Sequence, residues 1–303
     1  MNSRERLLKC INHEPIDRVP ISTYELVGWN DKAWENNEPS YKRLMDAIRE
    51  KTDCIYMLEP EFIEHKNNRL SVDEWDEDKS HYTRRTYHTR RGEISSLYRV
   101  DQGVHTTWTI KHLLEDITDI DRYLSIPYTP PEINMARFFE EQDKLNCRGL
   151  MMISIGDPIC LAAELFEMGK FLLYAMTEPE KIKYFLDAIH ERQMYDLKRI
   201  LKHNVENVIF RICGPEYATP PYLSPDYFYN YVTCYLIDIC RCIKDAGGIP
   251  RIHSHGNIAK VIGQFALTEA MALDPIEPPP DGDIELSQVK KQYGEKFCLF
   301  GNI

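Results

Sequence analysis

The chain has 303 residues, with 37 Lys and Arg against 48 Asp and Glu, and a formal net charge of -11 at pH 7. That acidic balance argues against nucleic acid as a partner. A composition of 43% hydrophobic and 28% charged residues fits a folded globule of one large α/β domain or two ordinary ones. The opening residues, MNSRERLLKC, carry charge without the apolar segment of a signal peptide. No run approaches the ~18 apolar residues of a membrane span, so no membrane partner is expected. Nine cysteines lie scattered without a framework, which predicts reduced thiols and a cytoplasmic location.

In chain order, residues 3–12 read as a short helix and 14–18 as a turn. Residues 19–24 are the first apolar strand. A wet, aromatic-rich loop follows over 25–39, and Ser40 is placed to cap a helix over about 41–50. Residues 54–58 form strand two. Over 79–109 polar and apolar residues alternate about Gly92, which predicts an antiparallel ribbon inserted near 80–109. Its basic part, HYTRRTYHTRR at 81–91, alternates as a strand does. A helix over about 132–146 follows Pro130 and Pro131. Strand three is 150–155, and helices fill about 159–175 and 180–202. Strand four, 207–212, ends in Cys213, Gly214, Pro215 and Glu216. A helix over about 226–246 stops at Gly247-Gly248. Strand five, 249–252, leads into His253-Ser254-His255-Gly256. A helix over 258–267, strand six at 270–273, a helix over 284–293 and strand seven at 297–300 complete the chain.

Seven short strands alternate with helices, and each ends in a Gly, Pro or acidic tip. This pattern points to a parallel TIM (β/α)8-type barrel in a single domain over 1–303, lacking its last strand and helix. A doubly wound sheet shares the same alternation. The exposed edges of such an incomplete barrel lead us to expect a homodimer. In these folds chemistry sits at the C-terminal tips of the strands. His253 and His255 are two apart and share a face if the strand runs that far. With Glu277 at the next strand tip they form either a metal cluster or an acid/base cluster. The bland alternative is a hydrogen-bonding pair that orders the loop. Glu216 is a further catalytic candidate. Tyr24, Tyr217 and Asn302 are candidates for contact with a small-molecule substrate. No nucleotide phosphate loop is present.

The segment RERLLKCINHEPIDRVP at 4–20 resembles the amino-terminal signature of the uroporphyrinogen decarboxylase superfamily. HSHGNI, ALDPIEPPP, KKQYGEKF and FGNI toward the end resemble its late barrel strands, as do SIGDPICLAAELFEMGK at 154–170 and CGPEYATPPYLSP at 213–225. The resemblance implies a TIM barrel and one of several activities. Decarboxylases of the superfamily grip tetrapyrrole carboxylates with an Arg-rich motif after the first strand. Here that stretch is TYELVGWNDKAWEN, which holds no arginine. Its methyltransferases hold zinc on a His-x-Cys pair, and here His253-x-His255 stands at that place. The implied metal set is therefore His253, His255 and Glu277, with zinc as the cofactor and a corrinoid reached only through a carrier protein.

These features lead us to expect a corrinoid- or thiol-dependent methyltransferase with Glu216, Glu277 and His255 as its catalytic groups. The alternatives are a decarboxylase acting on uroporphyrinogen or another carboxylic acid, and a barrel that binds without turnover.

Overall fold

A computed structural model describes residues 1–23, 25–65 and 69–301. Helix α1 (Ser3–Ile11) begins with a reciprocal cap. The Glu5 N–H donates to Asn2 Oδ1 at 2.9 Å, and the Asn2 N–H donates to Glu5 Oε2 at 3.2 Å. Helix α2 (Lys42–Lys51) precedes strand β1 (Cys54–Met57). An antiparallel sheet follows, made of β2 (Leu70–Glu77), β3 (Ser80–Thr89), β4 (Gly92–Asp101) and β5 (Thr107–Lys111). The chain then continues through α3 (Ala136–Leu145), β6 (Gly149–Gly156), α4 (Met168–Thr177), α5 (Pro179–Ile200), β7 (Ile209–Cys213), α6 (Cys234–Asp245) and β8 (Ile249–His253). It closes with α7 (Ile262–Phe265), β9 (Ala272–Asp274), α8 (Leu286–Tyr293) and β10 (Cys298–Leu299).

Two compact units divide the chain. The first comprises Met1–Phe62, Ile133–Asp157 and Leu197–Ile303. It holds a six-stranded parallel sheet in the order β1-β6-β7-β8-β9-β10. Each crossover between neighbours is long enough to carry helix, as parallel pairing requires. This is an incomplete (β/α)8 barrel with an antiparallel insertion.

Alternation along these strands sorts their inner residues into two levels. Ile55, Leu150, Ile209, Ile249, Ala272 and Cys298 lie at or near the start of each strand and form one apolar cluster. Leu7 and Ile11 of α1 pack onto it. Two residues further along come Arg211, Arg251 and Asp274, so the inner face turns polar on β7, β8 and β9, while Met57, Met152 and Phe300 keep it apolar on β1, on β6 and at the end of β10. The apolar level secures the fold, and the polar level lies toward the C-terminal tips.

Helix α1 is also tied down by charge. Arg6 is 6% exposed and donates to Asp17 at 2.6 and 2.8 Å and to the fully buried Asp53 at 2.5 Å. Arg18 reaches the same Asp53 carboxylate at 2.9 Å. Asp17 and Asp53 thus compensate a guanidinium that would otherwise be buried alone.

The second unit, Ile63–Glu132 with Pro158–Asp196, carries the antiparallel sheet. The ribbon expected near 80–109 is its centre, and β2 and β5 widen it to four strands. Cross-strand register aligns Trp75, Tyr82, Arg99 and Trp108 in one row. The Trp75 and Tyr82 rings stack at 5.3 Å, and Arg84 lies 5.2 Å over Trp75. Ile94 and Ser96 of β4 point to the other face and are buried. No helix among the described residues is long and apolar enough to cross a membrane.

Three local expectations need correction. Residues 19–23 form no strand. The segment is fastened instead to Asp53, whose N–H donates to Ile21 O and whose carboxylate accepts the Ile21 N–H, while Val19 and Ile21 stay exposed. Pro20 removes one of the donors a ladder would need. Ser40 does not cap α2. It lies inside a 3-10 turn, Pro39–Tyr41, capped by Glu38, whose side chain accepts the Ser40 N–H. The helix expected over 258–267 shortens to Ile262–Phe265, and ahead of it the Ala259 N–H donates to the Asp283 side chain.

Candidate active site

Strand β8 is buried at every position, yet its sequence is Ile-Pro-Arg-Ile-His. Arg251 and His253 are two apart and face the inside of the sheet with Ile249. Parallel register sets His253 opposite Cys213 on one side and Asp274 on the other. Asp274 therefore meets both inward polar side chains of β8. Arg251 donates in a two-pronged pair, Nε to Oδ1 and Nη2 to Oδ2, each at 2.5 Å. His253 Nδ1–H donates to Asp274 Oδ2 at 2.8 Å. An ionised carboxylate only accepts, so Asp274 fixes the proton of His253 on Nδ1. All three residues are at most 5% exposed.

Burial raises the Asp274 carboxyl, but hydrogen bonds from His253 and Arg251 and the charge of Arg251 outweigh it. The net result lies below the ordinary carboxylate range. On its far side Arg251 stacks over the Phe300 ring at 4.1 Å.

The second imidazole follows immediately. His255 Nδ1–H donates to Glu277 Oε1 at 2.8 Å, and the Gly256 N–H donates to Glu277 Oε2 at 2.8 Å. Gly256 has φ +83°, a conformation glycine adopts without strain, and this aims its N–H at the carboxylate. Gly282 is needed for a different reason. A Cβ there would sit 2.1 Å from Glu277 O, so the 277–282 loop folds back on itself only with glycine at its end. The His253 and His255 rings meet edge to face, with centroids 4.7 Å apart. The His255 side chain is 52% exposed, against 7% for His253. One imidazole is thus anchored in the interior, and the other is presented to solvent beside it.

A second arginine borders this pair. Arg211 of β7 donates from Nη1 to Ser154 Oγ at 3.1 Å and to Cys213 Sγ at 3.0 Å. Burial pushes the Cys213 thiol up, against the opposing hydrogen bond from Ser154 and the charge of Arg211. Two arginines thus line β7 and β8, Arg251 already paired with Asp274, and two imidazole–carboxylate pairs stand at the tips of β8 and β9.

Of the residues singled out by sequence, His253, His255 and Glu277 come together here. Both oxygens of Glu277 are committed, to His255 and to Gly256. Among the described residues no three His, Cys, Asp or Glu side chains gather to hold a metal ion. The arrangement is two hydrogen-bonded pairs rather than three converging ligands. Glu216 Oε2 accepts the Gly214 N–H at 3.1 Å and so caps its own turn at the β7 tip. Tyr217 lies half-buried in the same turn. Tyr24 and Asn302 lie outside the described residues.

Arg211, Arg251 and Asp274 complete the cluster and were not chosen as site residues from sequence. A signal for them exists. Each is a charged residue at an inward position of a short strand that is otherwise apolar, and a lone buried charge requires a partner.

Residues 110–303 match the family described as Uroporphyrinogen decarboxylase (URO-D). Nine chains of known structure match, among them a methyltransferase from Methanosarcina mazei. That match has a TM-score of 0.57 and 14% sequence identity, and covers 100% of this chain and 83% of that one. At that identity the likeness is one of fold. No curated protein matches the chain. The matched span runs from β5 to the end of the chain and takes in every strand that carries the cluster; the chain belongs to the uroporphyrinogen decarboxylase family.

Proposed function

We propose that this chain is an enzyme that decarboxylates a carboxylic acid at the C-terminal tips of β7, β8 and β9. The observation that carries the reading is the unbroken series Arg251, Asp274, His253, His255 and Glu277, with Arg211 alongside. Arg211 on the inner face of β7 favours an anionic substrate, since Arg251 is matched by Asp274. Loss of carbon dioxide breaks a carbon–carbon bond and leaves its electron pair on the remaining carbon. That pair takes up a proton, and a positioned imidazolium supplies it. His255 is the donor in this reading because it is the exposed member of the pair. Glu277 holds its ring, and Asp274 with Arg251 holds His253 behind it. The stretch over 23–36 lacks arginine, which favours a smaller acid than a tetrapyrrole polycarboxylate.

The test is carbon dioxide release from a panel of carboxylic acids by the wild-type chain and by His255→Gln. Gln keeps a polar side chain at 255 but cannot give up a proton. We expect its turnover to fall by about 10²- to 10⁴-fold. Equal rates in the two proteins would remove His255 from the role.

Methyl transfer to a thiol or to a corrinoid carrier is the second reading. One observation favours it: both imidazoles bond through Nδ1 to a carboxylate, as metal-ligating histidines commonly do. Here Glu216 or Glu277 would protonate the leaving heteroatom. Elemental analysis separates the two readings. About one zinc per chain, lost in both His253→Ala and His255→Ala, would favour methyl transfer. Metal-free chain with undiminished carbon dioxide release would exclude it. A chain inert in both assays would be a binding barrel.

A further inference from the structure

The opposite end of the parallel sheet holds a pair of sulfurs that the proposed reaction does not use. Cys10, in the last turn of α1, and Cys298, the first residue of β10, place their Sγ atoms 3.8 Å apart. We propose that Cys10 and Cys298 are an oxidation site, at which a peroxide closes a disulfide between the N-terminal helix and the last strand.

The two sulfurs are already in van der Waals contact, and a disulfide closes that separation to ~2.05 Å. Reactivity follows from the surroundings. A hydrogen bond between the two thiols lowers that of Cys10, burial opposes this, and the Lys290 ammonium adds to the lowering; the result is about 7. Burial alone pushes Cys54 up to about 12, and it dominates at Cys240, also held at about 12. Cys10 is therefore the more acidic thiol of the pair, and it is half-buried where Cys298 is 8% exposed. Its thiolate attacks one oxygen of hydrogen peroxide, giving a sulfenic acid and hydroxide. The Cys298 sulfur then attacks the sulfenic sulfur, and the sulfenic oxygen takes the Cys298 proton and leaves as water. Two thiols lose two electrons and two protons, and the peroxide is reduced to two waters.

The bond would span 288 positions of sequence and fix α1 on the apolar cluster that it already covers. The experiment treats the reduced full chain with a small excess of hydrogen peroxide under native conditions. We expect the nine thiols to fall by two. A peptide pair joining Cys10 to Cys298 should appear in a non-reducing map, and Tm should rise by on the order of 5 °C. Dithiothreitol should reverse all three changes, and Cys10→Ser should abolish them. A wild-type map without the 10–298 pair would overturn the proposal, whether Cys10 stays a thiol, proceeds to the sulfinic acid or joins another cysteine.

Discussion

Asp274 is the residue on which the cluster turns. It accepts from Arg251 through both oxygens and from His253 through one, within a buried setting. Asp274→Asn keeps the shape but leaves Arg251 buried without a counter-charge. We expect a stability loss of about 3–5 kcal/mol, read as a lower urea midpoint. Asp274 also fixes a pH dependence. Its carboxyl lies below the ordinary range in the folded state, so the stability it adds is present above the unfolded value of about 3.9 and lost as pH falls through the lower folded value. Asp53 behaves in the same way, because hydrogen bonds from Ser3, the Ile21 N–H and Arg6 outweigh its burial. Urea midpoints measured from pH 7 to pH 3 should therefore fall on the acid side, and less steeply in Asp274→Asn than in wild type. Equal slopes would show that Asp274 does not titrate with folding. His253 and His255 were legible in sequence from their spacing alone. Arg251 and Asp274 were not paired there, because only register brings a residue of β9 beside one of β8.

Among the elements, α1 carries the clearest structural prediction. Its Leu7 and Ile11 cover the strand starts, and Arg6 reaches the buried Asp53. Leu7→Ala removes apolar contact at 3% exposure and should cost about 2–5 kcal/mol in chemical denaturation. A change below that range would mean that α1 does not close the cluster. The loop between β9 and α8 makes the complementary prediction for activity. Gly282→Ala would drive a Cβ into Glu277 O and displace the carboxylate that holds His255. Turnover and the urea midpoint should both fall; a lower midpoint with unchanged turnover would place Glu277 in the scaffold alone. Six parallel strands were legible because each is a short apolar run ending in a Gly, Pro or acidic tip. The expected strand over 19–24 misled for a physical reason. An apolar run near Pro20 reads as strand, but in the structure residues 19–23 bond to Asp53 and leave Val19 and Ile21 in solvent.

At the scale of the whole molecule, the parallel sheet and the antiparallel insertion followed from alternation and period, which depend on residue type alone. The reaction does not follow in that way, because one barrel serves many chemistries and the choice lies in a few side chains at the strand tips. Here those side chains are two imidazole–carboxylate pairs beside two arginines, in a chain of the uroporphyrinogen decarboxylase family. The measurement that tests this account most directly follows carbon dioxide and substrate together, in the presence of a chelator, for the carboxylic acid that the chain turns over best. The account predicts one carbon dioxide released per substrate consumed, at a rate the chelator leaves unchanged. Consumption without carbon dioxide, or activity that the chelator abolishes and zinc restores, would contradict it.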